Sequence, residues 1–168
     1  LVNGVAPCCN NAGRKPKHMF VLPGGIAEVF TANPGTNKIV FGSRRGLCRL
    51  AVETGAELCP AYVFGGNDFL YNFVTGNSPI AKFSRKLKTG ITFFYGRFMM
   101  PFLPFTPDVS LCLAPPLSVP PETTPTGEKR TKEERIEELH EAYIAAITRL
   151  FNHYKAEAGY PSAKLEVV

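Results

Sequence analysis

Residues 38–68 read KIVFGSRRGLCRLAVETGAELCPAYVFGGND, and the change of hydrophobic period along this stretch sets the fold class. Lys38 to Phe41 is a short apolar run, entered through the turn residues Asn33-Pro34-Gly35 and left through Gly42-Ser43, which reads as a buried strand. From Ser43 to Thr54 the positions Leu47, Leu50, Ala51 and Thr54 recur at helical spacing. Ser43 is the expected N-cap and Gly55 the left-handed residue that ends the helix. Leu58 to Phe64 is apolar and aromatic again, closed by Gly65-Gly66-Asn67-Asp68. Strand, helix and strand in that order form a βαβ-type unit, so the chain is read as α/β.

Upstream, His18 to Leu22 is a second candidate for a buried strand, stopped by Pro23-Gly24-Gly25, and Gly25 to Ala32 is read as a turn of helix or a loop. Downstream, Gly76-Asn77-Ser78-Pro79 is a turn, and Ile91 to Phe94 and Val109 to Leu113 are further strand candidates. Residues 114–128 are a Pro-rich linker that cannot join a central strand. Residues 131–158 then read as a long amphipathic helix. Thr131 with Glu134 makes a capping box, Ile136, Leu139, Tyr143, Ile147, Leu150 and Tyr154 form one apolar stripe, and Gly159 and Pro161 stop it. A chain of 168 residues suffices for one domain with its own core, so residues 1–168 are read as one unit.

Charge is uneven. Residues 1–100 hold 12 Lys/Arg against 4 Asp/Glu, a balance of +8, and residues 101–168 hold 7 against 10, a balance of −3. A basic half suits anionic headgroups or a phosphate-bearing ligand, and equally an ordinary solvated surface. No nucleic-acid motif or base-stacking platform accompanies it, so nucleic acid is not an expected partner. Cys8, Cys9, Cys48, Cys59 and Cys112 are odd in number with no Cys-x-x-Cys spacing, which suggests neither a disulfide framework nor a metal site. No apolar run is long enough to span a bilayer. Ile91 to Phe105, preceded by the basic Lys82 to Lys88, fits an interfacial membrane contact or a buried strand pair behind a solvated loop.

Acid–base and nucleophilic chemistry has few carriers. His18 opens an apolar run without a carboxylate at an orienting spacing, and His140 and His153 are expected at exposed or flanking positions of the terminal helix. Gly76-Asn77-Ser78-Pro79-Ile80 lacks the second glycine of a nucleophile elbow, and no Walker A loop is present. The informative pattern is Leu22-Pro23-Gly24-Gly25-Ile26-Ala27-Glu28, a glycine pair with a nearby acid at a strand end, followed by Arg44, Arg45 and Arg49 around a helix start. Arginines there oppose the helix dipole, which an anion would offset; a tight turn beside a solvated arginine patch explains the same letters.

Taken in order, Leu22-Pro23-Gly24-Gly25-Ile26-Ala27-Glu28, then Arg44 to Pro60, then Phe64-Gly65-Gly66-Asn67-Asp68, resemble successive signatures of the diacylglycerol acyltransferase type 2 family, and the resemblance covers nearly the whole chain. It implies a glycerolipid-acyltransferase-type sheet, present in part and flanked by helices. The implied activity is transfer of an acyl group from acyl-CoA to an acylglycerol hydroxyl at the endoplasmic reticulum membrane, on its cytosolic face, with lipid droplets as a second location. Acyl-CoA, the acylglycerol acceptor and the membrane surface are the implied partners, with acyl-CoA as co-substrate and no cofactor. The family's His-Pro-His-Gly stretch is not in this sequence. The chain is therefore expected to begin downstream of the catalytic His, to hold no catalytic residue and to be inactive alone. By the resemblance, Gly24, Gly25 and Glu28 line the acceptor side, Arg44 and Gly46 support the strand–helix turn, and Pro60, Phe64, Gly65 and Asn67 shape the pocket wall. Leu47, Cys59 and Gly66 depart from the family's usual residues. The alternative is a non-catalytic module binding lipid or acyl-CoA on the same scaffold.

Overall fold

The computed structural model describes residues 19–22, 28, 32–73, 94–101, 103–123 and 127–168. They form a mixed α/β arrangement in the order β1 (Lys38–Ile39), α1 (Gly46–Thr54), β2 (Ala61–Phe64), β3 (Tyr71–Asn72), β4 (Phe94–Tyr95), β5 (Ser110–Leu113), α2 (Lys132–Tyr154) and β6 (Glu166–Val167). The strand–helix–strand order of β1, α1 and β2 is present, but β1 and β2 do not pair. β1 lies parallel to β6, Lys38 opposite Glu166, whereas β2 runs antiparallel to β5, from Ala61 opposite Leu113 to Phe64 opposite Ser110. Local order does not specify which edges meet, and both strands take partners from far along the chain. β3 and β4 make a third pair, Tyr71 opposite Tyr95.

α2 begins where its capping box places it. The Thr131 hydroxyl accepts from the Glu134 N–H at 3.3 Å, and the Glu134 carboxylate accepts from the Thr131 N–H at 2.8 Å, which satisfies two backbone donors that a helix start leaves open. Its apolar stripe is buried as its spacing requires, Tyr154 only partly. The described first part of the Pro-rich segment before it is packed: Leu58 bridges Leu117, and the carbonyl of buried Pro120 accepts from Arg135 Nε at 2.8 Å.

The core lies between α1, α2 and one face of the β2–β5 pair. Phe151, fully buried, meets Tyr62 edge-on at 5.0 Å and stacks on Phe64 at 5.2 Å. Phe41 packs on Tyr143 at 4.7 Å, and Cys48 and Ala51 bring α1 into the same cluster. Each fully buried phenylalanine here contributes about 1.5–3 kcal/mol. Strand alternation turns Tyr62 and Phe64 inward and leaves Val63, Leu111 and Leu113 exposed on the other face.

Three expectations are corrected. His140 is buried, its ring stacked on Phe41 at 5.0 Å and its Nε2 3.0 Å from the Phe41 carbonyl oxygen. Four residues after Ile136 and three before Tyr143, it falls on the apolar stripe, and a helix carries such positions into the core. α1 starts at Gly46, with Arg45 rather than Ser43 at the N-cap and no side-chain cap, because Phe41 to Arg44 form a turn in which the Arg44 N–H donates to the Phe41 carbonyl at 3.0 Å. Met19 to Leu22 form no strand and are exposed, since a short apolar run has no period that separates a buried strand from an uncovered segment. His18, Cys8, Cys9, the turn at Gly76 to Pro79, the basic run from Lys82 to Lys88 and the first part of the Ile91 to Phe94 candidate lie outside the described residues.

Candidate functional site

Asn33-Pro34-Gly35-Thr36-Asn37 forms a tight turn before β1. The Thr36 N–H donates to the Asn33 carbonyl at 2.9 Å, and Gly35 takes φ +78°, a left-handed conformation that glycine adopts without steric cost. The turn after β2 holds it from outside: the Asn67 amide donates to the Thr36 carbonyl at 2.9 Å, and Asp68 Oδ1 accepts from the Gly35 N–H at 2.9 Å. Tyr62 donates its hydroxyl to Asn37 Oδ1 at 2.9 Å, and Asn33 Oδ1 accepts from the Asn72 N–H at 2.9 Å. Tyr160, beyond α2, donates to Asp68 Oδ2 at 2.6 Å. That bond, with partial burial, pushes the Tyr160 phenol up to about 12. Three distant segments are thereby fastened to one polar cluster.

Gly65 makes the second turn possible. Its φ is +76°, and a Cβ there would stand 2.2 Å from the Asp108 carbonyl oxygen, so the backbone passes where no side chain fits. Glu28 lies in a helical turn, its carbonyl accepting from the Ala32 N–H at 2.8 Å, and its Oε1 accepts from the Val40 N–H at 2.9 Å just past β1. Phe64 is in the core against Phe151 and Tyr160, and the carbonyl of buried Pro60 extends the β2–β5 ladder through Ala114. Gly24 and Gly25 lie outside the described residues.

The arginines take a different arrangement. Arg45, not singled out above Arg44 by the resemblance, donates through Nε and Nη2 to both oxygens of Glu137 on α2, at 2.9 and 2.7 Å, and through Nη1 to the Gly42 carbonyl at 2.8 Å. This paired geometry raises the Arg45 pKa and holds the Glu137 carboxyl below its usual range. The anion beside this helix start is thus the protein's own. Lys132 of α2 likewise meets Glu53 of α1 at 2.6 Å. Gly46 has open space where a Cβ would stand, so packing does not demand glycine there.

Of the predicted residues that are described, Gly65 and Asn67 belong to the clamp on the 33–37 turn, Arg44 and Gly46 lie at the entry to α1, Pro60 and Phe64 are buried along β2, and Glu28 holds the Val40 N–H. Sequence reasoning missed Asn33, Asn37, Asp68 and Tyr160, although the density of Asn, Asp and Thr around two glycine turns was the available signal. An open groove of about 690 Å³ runs beside the clamp, lined by Thr36, Lys38, Tyr160, Lys164 and Glu166 among others. Lys38 and Glu166 pair across it at 2.9 Å. Among the described residues no His, Cys, Asp and Glu group is arranged to hold a metal ion, and no helix is long and apolar enough to cross a membrane.

The described residues thus form a mixed α/β frame with a polar clamp around the 33–37 turn and a bare apolar face on the β2–β5 pair. The sequence profile described as diacylglycerol acyltransferase matches residues 9–168, and the chain belongs to that family. It is similar to diacylglycerol O-acyltransferase 1 of Schizosaccharomyces pombe, 32% identical over 88% of this chain and 44% of that protein. Diacylglycerol O-acyltransferase 2-like protein 6 of Mus musculus is 33% identical over 84% of this chain and 44% of its own length. Diacylglycerol O-acyltransferase 2A of Umbelopsis ramanniana is 31% identical over 85% and 42%. The chain thus spans less than half the length of these relatives. No solved structure matches it.

Proposed function

We propose that this chain is the C-terminal part of an O-acyltransferase that moves a fatty acyl group from acyl-CoA to the hydroxyl of diacylglycerol, in triacylglycerol synthesis. The family match across residues 9–168 carries this reading. A His upstream of the chain takes the hydroxyl proton, the oxygen attacks the thioester carbonyl, and the tetrahedral oxyanion collapses with loss of the CoA thiolate, which recovers the proton. The state of the described histidines supports a base outside them. The Phe41 carbonyl can only accept, so His140 Nε2 carries the proton of that bond, and its ring is sealed in the core. His153 is exposed on α2 beside Tyr154.

In this reading Gly24, Gly25 and Glu28 line the acceptor side, Arg44 and Gly46 support the turn into α1, and Pro60, Phe64, Gly65 and Asn67 shape the wall. The partners are acyl-CoA, the acylglycerol and a membrane surface, at the cytosolic face of the endoplasmic reticulum and on lipid droplets. The thioester supplies the driving force, so the reaction needs no cofactor beyond acyl-CoA.

The test is acylation of diacylglycerol by the complete protein and by the 168-residue chain. The complete protein is expected to turn over and the chain alone not. Glu28→Gln in the complete protein keeps an oxygen for the Val40 N–H but removes the charge, and is expected to lower kcat more than Glu53→Gln, whose carboxylate serves the surface pair with Lys132. Equal effects would remove Glu28 from the site. Acyl-CoA binding by the complete protein without transfer would favour the non-catalytic module.

A further inference from the structure

The described residues Gly96 to Pro101 and Leu103 form a closed tip. The Gly96 N–H donates to the Met100 carbonyl at 3.0 Å, the Met100 N–H to Arg97 at 3.1 Å, and the Arg97 N–H to Leu103 at 2.8 Å. Phe98 and Met99 sit at φ +55° and +56°, the left-handed region that residues without a short polar side chain enter at a cost. Their side chains gain no packing in return: Phe98 is 84% exposed and Met99 78%, and Met100 and Leu103 are exposed beside them. Below the tip stand the half-exposed rings of Tyr71 and Tyr95, stacked at 5.4 Å, and the 78% exposed Phe73.

We propose that the Phe98–Met99 tip inserts into the headgroup and acyl boundary of an anionic membrane, with Arg97 and the aromatic shoulder at the headgroup level. This names the contact for the membrane surface in the preceding reading and rests on it. Two observations select lipid over a protein partner. The backbone N–H groups at positions 96, 97 and 100 are paired within the tip, as an apolar medium requires. Arg97 stands in the tip itself, and no acid occurs in the sequence between Asp68 and Asp108, a charge balance complementary to anionic headgroups. Aromatic rings beside a cation are the side chains that favour the interface itself.

The chain contains no Trp, so Phe98→Trp provides a single reporter. With vesicles of phosphatidylcholine and phosphatidylserine its emission is expected to move to shorter wavelength and to be quenched by brominated acyl chains, and phosphatidylcholine alone should bind more weakly. Leu111→Trp, on the bare sheet face, should remain unquenched. The double variant Phe98→Asn/Met99→Asn separates binding from folding, because Asn accepts the left-handed conformation. It is expected to raise the melting temperature while lowering vesicle partition at least about a hundredfold, since each of the two side chains moved from water to hydrocarbon carries about a decade of affinity or more. Quenching at position 111 but not 98, a blue shift in vesicle-free protein through self-association, or an Asn pair that binds vesicles like the parent would each overturn the inference. None of these readouts involves acyl-CoA, so the acyltransferase reading stands or falls separately.

Discussion

Removing one oxygen atom, in Tyr160→Phe, tests whether the clamp on the 33–37 turn is a stabilising device. The substitution keeps the ring stacked near Phe64 and deletes the 2.6 Å bond to Asp68, whose other oxygen still holds the Gly35 N–H. Hydrogen bonds to charged acceptors contribute about 1.5–3 kcal/mol. Both residues here are partly solvated, so water replaces some of the loss and about 1–1.5 kcal/mol is expected. For a chain of this size that lowers Tm by about 3–6 °C. Urea unfolding of Tyr160→Phe, Asp68→Ala and the double variant should give a coupling energy of about 1 kcal/mol. A coupling near zero, or a Tyr160→Phe midpoint equal to the parent's, would refute the clamp.

Gly65→Ala should cost about 3 kcal/mol or more, because the new Cβ meets the Asp108 carbonyl and the backbone is left-handed; a parent-like melt would show that the turn relaxes freely. His140→Ala should cost about 2–4 kcal/mol through a core cavity and a weakened bond at the Phe41 carbonyl, while His153→Ala changes stability by less than about 0.5 kcal/mol; calorimetry on the pair distinguishes them. Alkaline stability follows from burial of Cys48, pushed up to about 11, and of Tyr62 and Tyr143, each pushed up to about 12, together with Tyr160. A folded-state pKa raised above the unfolded one contributes stability that is present below the unfolded value and lost as pH rises through the folded one. Tm should therefore hold to about pH 9 and fall steadily toward pH 12, with the onset delayed in Cys48→Ala; a flat profile through pH 11 would contradict it.

What the sequence disclosed was local. The Thr131–Glu134 box, the stripe from Ile136 to Leu150 and the Gly55 stop are encoded within a few residues of where they act, and all three appear in place. Pairing was not legible, because nothing near Lys38 names Glu166 as its partner, nor does Tyr62 name Cys112. His140 was legible in principle: residue type argued for the surface and helical position for the core, and position won. The Arg45–Glu137 contact was hidden because it depends on the distance between two helices, which neither contains. Of the candidate site, the glycine turns were readable, but the hydrogen bonds that give them a purpose join residues 25 to 92 positions apart.

The pairing of β1 with β6 also fixes an order of events during synthesis. Lys38 leaves the ribosome 128 residues before Glu166, and Phe41 precedes the His140 that covers it by 99. At about 5–20 residues per second, β1 waits roughly 6–25 s for its partner and Phe41 roughly 5–20 s for His140. The nascent chain therefore needs a temporary cover for Phe41 and β2 until α2 emerges, and the site turn takes its final shape only after Tyr160 is made.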